Sequence, residues 1–395
     1  MKRVLFMVGS MNIGGVEKSL LSLLSVLPKG KFDITILLLE KKGVFLEYIP
    51  DWVNVKEVKW FRNVMPIIMQ PPNQTVKGYL NFRQWFKIPS FIFSYLLSKK
   101  FNDRYYYYKE VFKDVPYNTN LYDIAISYAG PTDIIDFYIA NKVKATKKIS
   151  WVHFDVSKHL INEKLYKKIY NVFDKVFVVS KEAKKRLIEK VPTVENKAEI
   201  FNNIISFDLI NKMSAENVYF DERFKGTKIL TVGRLSKEKG QDLAIKALAK
   251  LLKEGYEVRW YCVGDGNDRK IYEKLIEEYN LKSDFILLGS TPNPYPYIAN
   301  ADIYVQTSRH EGYCLTIAEA KCLKKTIVTT NFIGAYEQIV DGETGFIVEC
   351  NEETLYRKIK YLIDNKEECI KVSQNLSKDK IDTTEEVQKL INYIM

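Results

Sequence analysis

The stretch RHEGYCLTIAEAKC, residues 309–322, carries two carboxylates, Glu311 and Glu319, with an apolar run between them. Two such groups could act as acid and base on a glycosidic bond, hold a polar ligand, or lie idle on a helix. Their spacing bears on the choice. Tyr313 to Cys322 has a helical pattern, and eight helical steps rise by about 12 Å. Carboxyl pairs that cleave glycosides stand roughly 5–9.5 Å apart. The interval therefore disfavours a glycosidase pair and suits an elongated polar ligand held at two points. An anion between those points would face the amides of Gly312, Tyr313, Cys314 and Leu315, because a helix start leaves its first amides without intrahelical partners. Taken alone, the stretch also reads as one surface glutamate and one favoured by the helix dipole.

Other residues could serve the same chemistry. In TVGRLSKEKGQ, Arg234 and Lys239 flank a short loop after a strand. Such a pair suits a diphosphate, arginine by a forked contact and lysine as a point charge; two solvated loop charges are the alternative. In WYCVGDGNDRK, Gly264 and Gly266 form a turn against which a nucleotide could lie. Asp265 and Asp268 look briefly like a metal pair, but Asp268 is better placed as a helix N-cap and no further ligands cluster there, so no metal site is expected. Near the start, VLFMVGSMNIGG runs from a strand into a loop with Gly9, Gly14 and Gly15, then into a helix. That arrangement can receive an anion. It matches neither the G-x-G-x-x-G nor the Walker pattern, and a plain tight turn reads as well. His153, in WVHFD, follows a buried strand; by itself it reads more readily as a packed residue than as a catalyst.

These residues must be positioned by an α/β framework. VLFMV (4–8), DITILLL (33–39), DIAISY (123–128), KKISWVH (147–153) and KVFVVS (175–180) read as strands in the first half. TKILTVG (227–233), EVRWYCVG (257–264), FILLG (285–289), ADIYVQTS (301–308) and KTIVTT (325–330) do so in the second. Helical patterns such as GQDLAIKALAKLLKEG separate them. Continuous apolar strands joined by helices predict parallel sheets covered on both faces, in two doubly wound domains. The expected boundaries are a first domain over 1–206, a linker over 207–226, a second domain over 227–375, and a C-terminal helix over 376–395 packing back toward the first domain. The interval 60–115 breaks the rhythm with interleaved aromatic and basic residues. It reads either as a helical subdomain with its own core or as a membrane-facing surface. In the second reading Trp85, Phe86, Phe91 and Phe93 enter the headgroup layer while Arg83, Lys87, Lys99 and Lys100 meet anionic lipid.

Composition narrows the class. With 395 residues, 46% hydrophobic and 28% charged, the chain has a globular profile and suggests two domains. No run of about eighteen apolar residues occurs. VLFMV is too short for a secretory apolar region and reads as a first buried strand. The five cysteines form no C-x-x-C pair, so neither a zinc site nor a disulfide framework is expected, and a cytoplasmic setting fits. Net charge is +11, unevenly spread. Residues 1–200 hold 33 Lys and Arg against 19 Asp and Glu; residues 201–395 hold 27 against 30. The first half should face something acidic, an anionic membrane surface or nucleic acid, and no nucleic-acid motif supports the latter.

In order, GRLSKEKG, VGDG, FILLG and EGYCLTIAEAKCLKKTIVTTNFIGAYEQIVDGETGFIV span roughly 227–350. That succession resembles the donor domain of glycosyltransferase family 4, retaining enzymes of the GT-B fold, in which two Rossmann-like domains face each other across a cleft. The first half is similar more loosely, through the GG loop, WVHFD and the NN of AEIFNNI. Leu-Lys-Lys at 323–325 departs from the family's usual glycine and proline, and Cys314 stands where glycine is common. The resemblance implies that Arg234 and Lys239 neutralise a donor diphosphate, which Gly14 and Gly15 approach. It implies that Glu319 binds the ribose, and that Leu288 and Gly289 lie near the base. Glu311, with the amides of Gly312 to Thr316, would bind the transferred sugar, and His153 would reach the reacting sugar. The implied activity is metal-independent retaining transfer of a hexose or N-acetylhexosamine, from a UDP-sugar or other nucleotide sugar, with no bound cofactor. The implied acceptor is a lipid-linked oligosaccharide at the inner face of the cell membrane, in surface polysaccharide assembly. A nucleotide-sugar epimerase of the same fold and a basic nucleic-acid binder are the alternatives.

Overall fold

A computed structural model describes residues 1–154, 156–157, 161–218, 220, 224–378 and 382–395. The chain divides into two compact units, Met1–Asn202 with Glu386–Met395, and Asn203–Glu385. The first contains β1 (Lys2–Val8), β2 (Phe32–Leu38), β3 (Asn54–Glu57), β4 (Asn118–Gly130), β5 (Val143–Val152), β6 (Lys175–Val178) and β7 (Ala198–Ile200). They form one parallel sheet in the order β3-β2-β1-β4-β5-β6-β7. The second contains β8 (Thr227–Val232), β9 (Val258–Val263), β10 (Phe285–Gly289), β11 (Ile303–Gln306), β12 (Thr326–Thr330) and β13 (Phe346–Val348). Their parallel order is β10-β9-β8-β11-β12-β13. Each sheet reverses its winding once, between β1 and β4 and between β8 and β11. Loops leaving the carboxyl ends of strands diverge at such a reversal and open a crevice for ligands.

The central strands form where apolar runs are unbroken, because helices cover both faces. Val4 to Val8 are at most 1% exposed. In the second unit, Leu248 and Leu251 of the helix Gln241–Lys253 pack with Trp260 and Ile359 on one face. Tyr304, Ile317 and Ala320 fill the other. β3, β7 and β13 escape the sequence reading; each lies at a sheet edge and has only three or four residues.

Several boundaries differ from expectation. The described part of 207–226 is not a free linker; residues 219 and 221–223 lie outside the described residues. Phe207–Ser214 is a helix capped by Ser206, and Ile210 and Phe220 are buried beside Tyr261 and Tyr295 in the second unit's core. Its polar composition hid an apolar stripe. The C-terminal helix is confined to Val387–Ile394, since Lys366–Leu376 is a separate helix of the second unit. Over 60–115 the chain forms helices Phe61–Met69, Pro72–Asn81, Ile88–Phe101 and Arg104–Val111. Phe91, expected at a lipid surface, is 1% exposed and packs against Tyr79 and Tyr107. Lys87 is held by Asp114 at 2.6 Å. Among the described residues, no helix is long and apolar enough to cross a membrane.

Candidate functional site

In the second unit the loops after β8 and β11 are laced together. The Arg309 guanidinium makes two parallel bonds to Asp242, at 2.8 and 2.7 Å, and a third to the Lys237 carbonyl. The Arg309 amide donates to the Glu238 carbonyl at 2.7 Å. Gly240 has φ +70°, and a Cβ there would lie 2.2 Å from the Thr307 carbonyl oxygen, so only glycine fits between the loops. The loop after β9 presses on the first of these. A Cβ on Gly264, at φ +147°, would meet the Gly233 carbonyl oxygen at 1.9 Å.

This lacing brings Lys239 to Glu311, in an ion pair that also takes a 2.8 Å bond from the Ser308 hydroxyl. Burial alone would lower the Lys239 pKa, but the Glu311 charge and bond outweigh it, so the ammonium is held charged above its ordinary range. Arg234 is exposed and makes no ion pair among the described residues, while its carbonyl is fixed by Gln241 Nε2 at 2.9 Å. Beneath Glu311 lies a buried relay. Tyr304 and Thr316 donate to Gln306 Oε1, and Gln306 Nε2 donates to Ser308, whose proton is then directed at Glu311. Cys314 sits beside it, its thiol pushed up to about 12 by burial and then by Glu311.

Glu319 occupies a different neighbourhood. It is 2% exposed and accepts from the Tyr295 hydroxyl at 3.2 Å. Burial first, then the Glu319 charge, raises the Tyr295 pKa, so that hydroxyl stays protonated. The helix begins at Leu315 rather than Tyr313, so only part of the interval from Glu311 to Glu319 is helical. The two carboxylates nonetheless bond different partners. Between them the Gly312–Cys314 turn rests on Gly334, where a Cβ would stand 3.0 Å from the Gly312 carbonyl oxygen, and Gln338 donates to the Cys314 carbonyl. Leu288 is half-buried at the end of β10, and the Gly289 carbonyl accepts from the Gly264 amide at 2.8 Å. Asp268 occupies the N-cap position of Arg269–Glu278, but its side chain makes no capping bond. Asp265 accepts from the Gly266 amide instead.

In the first unit Gly14 precedes the helix Gly15–Val26 in an extended conformation open to any residue; what crowds it is the flexible Glu17 carboxylate. Ser19 of that helix bonds the Tyr128 hydroxyl at 2.8 Å, and the Tyr128 ring lies 4.6 Å from the His153 ring. Packing through the buried Ser19 and Tyr128 thus links the helix that begins at Gly15 to His153, beside the first unit's β1/β4 reversal. His153 Nε2 is buried without a hydrogen-bond partner among the described residues. Burial drives its pKa down to about 3, against a weaker opposing bond from the Tyr128 backbone, so the imidazole is neutral at pH 7. Sequence reasoning missed a buried carboxylate of the same unit. Asp136 is fully buried and accepts from Ser127, Ser150, Tyr166 and the Thr132 amide. Burial lifts it to about 6 against those bonds.

Comparison with known proteins follows the same division. HepE of Anabaena, solved in complex with UDP and glucose, aligns with 100% of this chain and 99% of its own length, with a TM-score of 0.70 at 17% identity. The chain has the fold of the GT-B glycosyltransferases, two Rossmann-like units. Residues 219–379, which include both laced loops and the Glu319 helix, match the family described as Glycosyl transferases group 1. Over 208 residues the chain is 29% identical to the N-acetylgalactosamine-N,N'-diacetylbacillosaminyl-diphospho-undecaprenol 4-alpha-N-acetylgalactosaminyltransferase of Campylobacter jejuni, across 52% of this chain and 55% of that protein. Over 211 residues it is 28% identical to the capsular polysaccharide biosynthesis glycosyltransferase CapM of Staphylococcus aureus, across 48% and 52%. The chain spans about half the length of these curated relatives.

Proposed function

We propose that the protein is a retaining, metal-independent glycosyltransferase moving a hexose or N-acetylhexosamine from a UDP-sugar to a lipid-linked oligosaccharide, at the inner membrane face, in surface polysaccharide assembly. The observation that carries this reading is the Lys239–Glu311–Ser308 cluster, with Arg234 open beside it, at the β8/β11 reversal of a segment matching group 1 glycosyl transferases. The relatives supply the setting: one is named for an undecaprenol-linked acceptor, one for capsular polysaccharide, and HepE was solved with UDP.

Breaking the bond between sugar and diphosphate leaves negative charge on the departing phosphate, and groups already aimed there stabilise it without rearranging. Arg234 and Lys239 would do so, the diphosphate competing with Glu311 for the ammonium. Glu311, oriented by Ser308 and Lys239, would then accept from sugar hydroxyls. Glu319 would take ribose hydroxyls beside, or in place of, the Tyr295 hydroxyl. In a same-face displacement the leaving phosphate receives the acceptor's proton, so no carboxylate base is required. Neutral His153 would contribute a hydrogen bond rather than a charge.

Thermal unfolding with UDP, GDP and ADP, alone and as their sugars, tests the donor site. UDP should raise the midpoint most; indifference to every nucleotide would sink the reading. With the correct donor, free UDP should appear only when acceptor is present. Release without acceptor, or a changed sugar without release, would point to hydrolysis or epimerisation.

A further inference from the structure

The helix Ile88–Phe101 is turned inside out. Its inner face carries Phe91 among serines: Ser94 and Ser98 are buried, and Ser90 donates to Glu110 at 2.6 Å. Its outer face carries Ile92, Phe93 and Leu96, which are 42%, 65% and 56% exposed and follow one another at helical spacing. The turn leading into it adds Phe82, Trp85 and Phe86, at 78%, 68% and 62%. A helix that only had to pack on a domain would place these residues inward and its serines outward. Exposed large apolar side chains scattered singly are ordinary, but six of them within one turn and the helix it leads into mark an interaction surface.

Charge indicates what covers it. Between Glu57 and Asp103 there is no acidic residue, while seven lysines and arginines occur. Of these, Lys99 and Lys100 lie at the end of the apolar stripe and Arg83 beside the turn; none of the three makes an ion pair among the described residues. Apolar side chains projecting from a helix and its preceding turn, bordered by unpaired cations, fit a bilayer surface, where rings enter the headgroup layer and lysines reach phosphates.

We propose that this turn and helix are the surface by which the protein docks on anionic lipid. The inference deepens the proposed function by naming the contact, and rests on it only for the identity of the acceptor. It also replaces two members of the set expected from sequence: Phe91 is core and Lys87 is held by Asp114, whereas Phe82, Ile92 and Leu96 join the surface.

Sedimentation with vesicles tests it. The protein should bind phosphatidylcholine vesicles containing phosphatidylglycerol, bind phosphatidylcholine alone poorly, and be released by salt. Lys99→Gln with Lys100→Gln should weaken partition about 30-fold, each cation contributing about 1 kcal/mol near such a surface. Phe93→Glu with Leu96→Glu should abolish binding. Both pairs are exposed, so circular dichroism and the thermal midpoint should be unchanged. Trp85 emission should shift to the blue with vesicles, and Trp85→Phe should remove that change. Failure to bind either vesicle, binding that survives Phe93→Glu with Leu96→Glu, or self-association through this face in place of vesicle binding would overturn the proposal. UDP stabilisation reports on the donor site separately: its loss would leave vesicle binding untouched, and the reverse.

Discussion

The two crevices share a topology and differ in chemistry. In both sheets the reversal lies between the first and fourth strands of the series, and glycines follow the first strand. The β8/β11 crevice is built from charges: Arg309 fastened to Asp242, Lys239 to Glu311, Arg234 exposed. Among the described residues, the surroundings of His153 at the β1/β4 reversal are a tyrosine and a serine, with the Glu17 carboxylate at the Gly14 end and the Asp136 carboxyl fully buried. Strand order makes both crevices; loop side chains decide what each can hold. The charged crevice suits a diphosphate. Around His153 the described side chains supply a neutral imidazole and no cation.

This contrast breaks most visibly at Lys239. Removing an aimed cation should lower turnover about 100- to 1,000-fold, so Lys239→Ala should cripple transfer in a steady-state assay, whereas His153→Gln should reduce it far less. Equal losses would mean that both crevices work by charge. Next in size, Asp136→Ala strands two serine hydroxyls, a tyrosine hydroxyl and an amide, and should lower stability by about 3 kcal/mol in urea titration. It should do so without altering UDP affinity in the protein that remains folded. Glu319→Ala should weaken UDP binding about tenfold by calorimetry, the loss of a bond to a charged group. Glu311→Ala should leave UDP affinity closer to wild type and mainly slow turnover; the opposite pattern would exchange their roles.

The neutral crevice has a pH signature. His153 binds its proton less readily folded than unfolded, so the folded state loses stability as pH falls below about 6.5 toward 3. The stability gap between wild type and His153→Gln should therefore move against wild type over that window, and a constant gap would show that the ring is not buried neutral. Asp136 works the other way. Its raised pKa favours the fold below the ordinary carboxyl range, and that contribution is lost as pH rises through about 6. The smallest effect lies outside both crevices. Lys324, just past the helix Leu315–Cys322, has φ +54°. Lys324→Gly should relieve about 1 kcal/mol of left-handed strain, raising the thermal midpoint and leaving UDP binding alone.

Much of this framework was legible in the chain. Unbroken apolar runs mark β1, β2 and β8 because a parallel strand covered on both faces needs no polar alternation. FILLG coincides with β10 to the residue. The edge strands β3, β7 and β13 were not legible, since three or four residues leave no period to read. At the candidate site the glutamates, Arg234 and Lys239 stood out by type and by motif. Ser308 and Gln306 did not, although their two-residue spacing at a strand exit already put them on one side of the chain. Arg309 sat in full view, but its partner Asp242 lies 67 positions away and no local pattern links them.

The sequence by itself determined which segments would be buried strands, which loops carry charge, and that one stretch of the first unit is basic and aromatic without acids. These properties reside in windows of a few residues, where periodicity and composition act directly. Only the tertiary structure decided that Phe91 turns inward while Phe93 turns out, that Asp114 holds Lys87, and that four donors surround Asp136. Neighbouring helical residues point in directions about 100° apart, so which side meets the core depends on where the helix lands. That position is set by packing between segments far apart in the chain.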